Sequence, residues 1–147
     1  MIYNDYGKEH KLNLIIDKTI GLIPTKSNFV DSVAINKDYA VIFEINDATA
    51  YFYALDISNG KQKILDVLYI YNTTAILEPK KVSAIKIDWS DNYRYAILFI
   101  NDDPHAIFDF EAKRGYNQVE YPSGISETGW SNKNKEWNSL IKKILNE

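Results

Sequence analysis

At 147 residues the chain has the length of one domain, and 46% apolar with 25% charged residues are ordinary globular values that argue against disorder. A net charge of −3 lacks the basic footprint of a nucleic-acid binder, and the absence of cysteine removes disulfides, thiolate nucleophiles and sulfur-ligated zinc. No run approaches the roughly 18 apolar residues of a membrane span, and Met1 to Ile23 lacks the continuous apolar core of a secretory signal. The expectation is one cytoplasmic domain over residues 1–147.

The unusual feature is aromatic content: eleven Tyr, six Phe and three Trp. Wide, stiff side chains fit a pleated, half-buried surface better than a helix turn, so strands are expected. Residues 1–30 hold one short candidate, Lys11 to Ile16, followed by a loop through Gly21, Pro24 and Ser27-Asn28. This stretch reads as an edge strand or an arm. Tyr39 to Ile45 and Thr49 to Asp56 are strands joined by the turn residues Asn46-Asp47-Ala48, which makes a hairpin. Ser58-Asn59-Gly60 turns the chain again, and Lys63 to Tyr71 reads as a further strand, with a helix over Ile64 to Ile70 as the alternative.

Beyond Pro79, Ser83 to Trp89 alternates, with Ala84, Lys86 and Asp88 on one side and Ile85, Ile87 and Trp89 on the other. Ser90-Asp91-Asn92 leads into Arg94 to Ile100, apolar on both faces after Arg94, which predicts a central strand covered on each side. Asn101 to Pro104 turns into His105 to Phe110. Glu111 to Arg114 reads as a helical turn closed by Gly115, Tyr116 to Tyr121 as a short returning strand, and Ser123 to Lys133 as loop. A C-terminal helix over residues 134–146 is predicted from the i, i+3, i+4, i+7, i+8 spacing of Trp137, Leu140, Ile141, Ile144 and Leu145. Ser131, Asn132 or Asn134 can cap its start.

These elements predict an α+β domain: a predominantly antiparallel meander sheet of hairpins packed by a C-terminal amphipathic helix. The helix stripe is expected to cover a dry face made of Tyr95, Ile97, Phe99, Ala106, Phe108 and Phe110. Asp88 to Leu98 is similar to the tryptophan-serine-turn-strand motif of β-propeller blades. The pattern occurs once, where a propeller needs at least about four blades, so it is read as a shared hairpin solution.

Candidate chemistry is sparse. His105 and Asp109 share a face of an ideal strand but stand roughly 13 Å apart at 3.3 Å per residue, too far to hold one metal or share one proton. A two-residue loop at Asp102-Asp103 would set Ala96 opposite Asp109 and Arg94 opposite Glu111, letting Arg94 reach both carboxylates as a structural ion pair. No nucleophile elbow, Ser-x-x-Lys pair or phosphate-cradling glycine loop is present, so no cofactor and no catalytic set is indicated. The residual signal is tyrosine. Tyr51 and Tyr53 point one way from their strand, and Tyr69 and Tyr71 share a face of the next, which suits a recognition surface as well as rings packed in a core with wet hydroxyls.

Val41 to Asp56, Ile64 to Asn72, Trp89-Ser90, Pro104 to Phe110 and Arg114-Gly115-Tyr116 together resemble a small bacterial family of unassigned function over residues 40–122. Ala48 and Ala50 stand where that pattern carries glycines. The resemblance implies no activity and no functional residues. Small acidic proteins of this style resemble immunity proteins of bacterial toxin systems. The functional expectation is a non-enzymatic domain that binds another protein, with Tyr51, Tyr53, Tyr69, Tyr71, Arg94, His105 and Asp109 as candidate binding residues. Neither nucleic acid nor a membrane is expected as partner, and a homodimer is compatible with this reading. The alternative is a small hydrolase or small-ligand protein using Asp88, Arg94, His105 and Asp109 in one cleft.

Overall fold

Turn chemistry sets the strand ends. The Asn46 side-chain oxygen accepts hydrogen bonds from the Ala48 and Thr49 amides at 2.9 and 2.8 Å, folding β3 (Tyr39–Ile45) back on β4 (Thr49–Asp56). Asp56 accepts likewise from the Ser58 amide and hydroxyl, and Gly60, at φ 75°, takes the left-handed turn position before β5 (Lys63–Asn72). The structure, a computed structural model, describes residues 13–118, 129–132 and 136–145. Within them β2 (Asn28–Val33) completes a four-stranded antiparallel sheet in the order β2-β3-β4-β5. A second sheet comprises β1 (Leu14–Leu22), β6 (Ser83–Ser90), β7 (Tyr95–Ile100), β8 (Asp103–Asp109), β9 (Arg114–Asn117) and β10 (Ser131–Asn132), in the order β1-β6-β7-β8-β9-β10. Its pairings are antiparallel except the short parallel bridge of β10 to β9.

The predicted antiparallel hairpins and C-terminal helix are therefore present, divided between two packed sheets. Alternation explains the packing. Phe43 and Phe52 face inward from the four-stranded sheet, and Trp89, Phe108 and Phe110 meet them from the other. Phe52 stacks on Phe108 at 5.0 Å and Tyr39 on Phe110 at 4.4 Å, while Trp130 stands edge-on to Phe108 and Phe110. Much of the aromatic excess is thus core, each ring contributing about 1.5–3 kcal/mol by burial. One corner is pinned by polar groups: the Trp89 indole N–H donates to the Ser32 hydroxyl at 2.8 Å, which donates to the Asp17 carboxylate at 2.5 Å. Asp17 is the extra residue of a bulge between Ile16 and Lys18, so the irregularity in β1 turns a carboxylate toward β2.

Strand β7 is buried along its whole length, as a strand covered on both sides must be. Its inner side chains join the inter-sheet core. Its outer ones, Tyr95, Ile97 and Phe99, pack with Ile107, Tyr116 and the helix α1 (Trp137–Leu145) through Trp137, Leu140 and Ile144. The expected helix cover is found, but the face beneath it differs from the predicted one. The hairpin loop is Asn101-Asp102, both at positive φ, and a bulge at Leu98/Phe99 sets Tyr95 opposite Asp109 and Ala96 opposite Phe108. Ala106, Phe108 and Phe110 consequently face the other sheet, and Ile107 takes their predicted place.

Smaller corrections concern where turns end and strands begin. Lys113 at φ 59°, not Gly115, takes the left-handed position after Phe110, and Gly115 lies inside β9. That glycine answers to packing: a Cβ there would stand 2.8 Å from Leu68 and 2.7 Å from Asp66. Ser131 and Asn132 form β10, so part of the predicted loop is paired. Gly21, read as loop, lies within β1, and Asn28, the end of the predicted loop, opens β2, a full strand over residues that the sequence leaves unassigned. Lys11, Asn134 and the stretch from Val119 to Tyr121 lie outside the described residues.

Candidate functional site

The outer face of the four-stranded sheet carries most of the predicted tyrosines. Register places Phe29, Glu44, Tyr51 and Tyr69 in one cross-strand row and Asp31, Ile42, Tyr53 and Val67 in the next. Directly opposed side chains stand about 4.5–5.5 Å apart, so the two rows form one continuous lattice. The Tyr51 and Tyr53 rings lie 6.1 Å apart at 58°. The Tyr53 hydroxyl donates to the Glu44 carboxylate at 3.0 Å, and burial together with this bond pushes the phenol up to about 12. Among the described residues the face is uncovered: Phe29 is 60% exposed, Ile64 52%, and Val33 and Val67 are exposed beside them. These two rows contain two carboxylates and no cation.

Tyr71 does not belong to this face. The extra residue of a bulge between the Ala50 and Tyr51 pairings breaks the alternation of β5, separating Tyr71 from Tyr69. Its ring packs against the inter-sheet core near Phe43, and its hydroxyl donates to the Pro24 carbonyl at 2.8 Å. Phe29, Asp31 and Glu44, which complete the lattice, were not singled out in the sequence. The signal available was the alternation of Phe29, Asp31 and Val33 against Val30 and Ser32.

Arg94 and Asp109 form the predicted ion pair. Arg94 Nε and Nη2 donate to the two Asp109 oxygens at 2.8 and 2.9 Å, with Glu111 3.6 Å from Nη1. Asp109 also accepts the Glu111 and Ala112 amides, so it holds the turn after β8. The bidentate hydrogen bonds raise the Arg94 pKa further above its ordinary value. A cleft of about 240 Å3 runs between this pair and α1, walled by Tyr95, Tyr116, Glu136 and Lys143. Its charges are largely matched, since Arg114 approaches Glu136 at 3.9 Å.

The remaining candidates lie apart. His105 is the extra residue of the β8 bulge, points Nδ1 at the Asp103 carbonyl at 2.9 Å, and lines a different cavity. Asp88 is buried beside Lys86, 3.9 Å away, with its pKa raised by loss of solvent and partly lowered by that ammonium. The cleft beside Arg94 and Asp109 therefore contains neither. Asp66, on β5, is a further acid, partly buried. Its Oδ2 lies over Gly115 without a hydrogen-bond partner, and desolvation pushes its carboxyl up to about 6. Among the described residues no group of three or more His, Asp or Glu gathers as a metal site, and no helix is long and apolar enough to cross a membrane.

These features define a two-sheet antiparallel domain with one outer face sealed by a helix and, among the described residues, no element laid on the other. The chain belongs to the family described as "Uncharacterized protein conserved in bacteria (DUF2251)", whose model matches residues 22–145, which bears out the bacterial family resemblance. It is 38% identical over 93 residues to a Haemophilus influenzae protein whose description reads "Uncharacterized protein". The match covers 63% of this chain and 58% of that relative. No solved structure matches.

Proposed function

We propose that the domain is a non-enzymatic binding module that docks a basic segment of another protein on the outer face of its four-stranded sheet. The carrying observation is the lattice of Tyr51, Tyr53 and Phe29 around Glu44 and Asp31, over which no other element lies among the described residues. Tyrosine presents a rigid apolar body with a polar tip, loses few rotamers on docking and is enriched at recognition surfaces. A partner's Lys or Arg directed at Glu44 lies over the Tyr51 and Tyr53 rings, adding cation–π attraction to Coulombic steering. Self-pairing of this face opposes the carboxylates of two copies, which favours a different chain as partner. An immunity-type protein of a bacterial toxin system is one form of this reading.

The test is co-expression of the tagged chain with the product of the neighbouring gene, followed by capture at moderate salt. The expected result is a stoichiometric complex that the double variant Glu44→Lys, Tyr51→Ala loses by at least about tenfold, a loss of about 1.4 kcal/mol, while keeping its circular dichroism. No stoichiometric partner, or equal capture by the variant, counts against the proposal.

A further inference from the structure

The two sheets do not close at the end where β5 leaves one and the chain enters β6 of the other. A cavity of about 650 Å3 opens there, with Ile70 and Ile100 of the inter-sheet core as its floor. Close-packed interiors hold few gaps larger than a water molecule, and small-molecule sites measure about 300–1,000 Å3. The segment framing the opening keeps apolar side chains in water: Val82, on the wall, is 57% exposed, and Leu77, next to the lining Ile76, is 96% exposed.

Hydrogen bonding assigns the polarity of an occupant. Several acceptors at the wall are already used: the Pro24 carbonyl takes the Tyr71 hydroxyl, and the Asn101 side-chain oxygen takes the Ala84 amide at 2.8 Å. Donors remain in the Asn101 amide group, the Ser83 hydroxyl and the Lys81 ammonium. Lys81 meets Glu78 at 3.3 Å, but both side chains are largely in solvent, and such pairs contribute about 1 kcal/mol or less. An incoming anion can replace Glu78 at small cost. We propose that this cavity binds a small amphipathic carboxylic acid, its hydrocarbon body against Ile70, Ile100 and Val82 and its carboxylate at Lys81, Ser83 and Asn101. The site is separate from the tyrosine face and independent of any protein partner.

The probes are octanoate, octanol and octylamine, titrated into the full chain and followed by amide NMR shifts. Octanoate is expected to shift the Ile70, Ser83 and Ile100 amides saturably, and octylamine to leave them in place. Lys81→Ala should weaken octanoate about fivefold and Glu78→Gln strengthen it about twofold, the scale of one exposed charge contact. Val82→Trp should abolish binding by filling the opening; all three substituted side chains are exposed, and unchanged circular dichroism checks the fold. The proposal is overturned if no probe gives a saturable shift, if octanol or octylamine binds as well as octanoate, or if Val82→Trp or Lys81→Ala binds octanoate like the parent chain.

Discussion

The outer faces of the two sheets are built from similar materials and end differently. On the six-stranded sheet Tyr95, Ile97, Ile107 and Tyr116 are sealed beneath Trp137, Leu140 and Ile144. On the four-stranded sheet Tyr51, Tyr53, Val67 and Phe29 meet no comparable cover among the described residues. Each face also carries carboxylates, but Asp109 is matched by Arg94, whereas Glu44 has a tyrosine hydroxyl for its partner. An aromatic, half-apolar sheet face becomes core where an element of the same chain lies on it, and is available for recognition where none does.

The largest expected effect breaks the sealed face. Trp137→Ala should destabilise the protein by about 3–4 kcal/mol through lost burial and a residual cavity, whereas Tyr51→Ala should cost less than about 1 kcal/mol. Urea unfolding of both variants checks this, and equal costs would remove the contrast between the faces. Next is Asp109→Ala, which unpairs Arg94 and two turn amides; the expected loss is about 2–3 kcal/mol, against about 1–2 for Arg94→Met, whose position is partly solvated.

A smaller effect follows from Asp66. Its folded-state pKa, about 6 against an ordinary 3.8, is raised because burial disfavours the charged carboxylate. Its favourable contribution is complete below the unfolded value near 3.8 and is lost as pH rises through about 6. The shift caps this effect near 3 kcal/mol, and residual solvent contact reduces it to about 1–2 kcal/mol. Asp66→Asn should therefore gain stability relative to the parent between pH 5 and pH 7.5, measured as the difference between their denaturation midpoints so that the contribution of Asp88 cancels. A flat difference across that range refutes it. The smallest effect is spectroscopic: Glu44→Gln should bring the Tyr53 phenol down from about 12 while changing stability by less than about 0.5 kcal/mol. Absorbance titration of the variant against the parent reads it.

Much of the fold was legible because its punctuation is explicit. Asn46-Asp47-Ala48 and Ser58-Asn59-Gly60 mark real turns, and β3 and β4 have the predicted bounds. The helix stripe was legible from spacing that buries Trp137, Leu140 and Ile144. What escaped were bulges. One extra residue in β5 and one in β8 moved Tyr71 and His105 off the faces that strict alternation assigns, since a single insertion reverses parity. β2 escaped because Ser27-Asn28 reads as turn chemistry, and with it went Phe29 and Asp31. The pairing of Arg94 with Asp109 survived a wrong register because a long guanidinium reaches across a one-residue slip.

The central claim is that the tyrosine lattice is covered by another protein in the cell. Oxidative footprinting by mass spectrometry, on the purified chain and in intact cells, tests it without knowing the partner. Phe29, Tyr51, Tyr53 and Tyr69 should label in the purified protein and be protected at least about fivefold in cells, as expected for residues at the centre of an interface, with Tyr95 and Tyr116 silent in both. Equal labelling of the four residues in both settings would contradict the account.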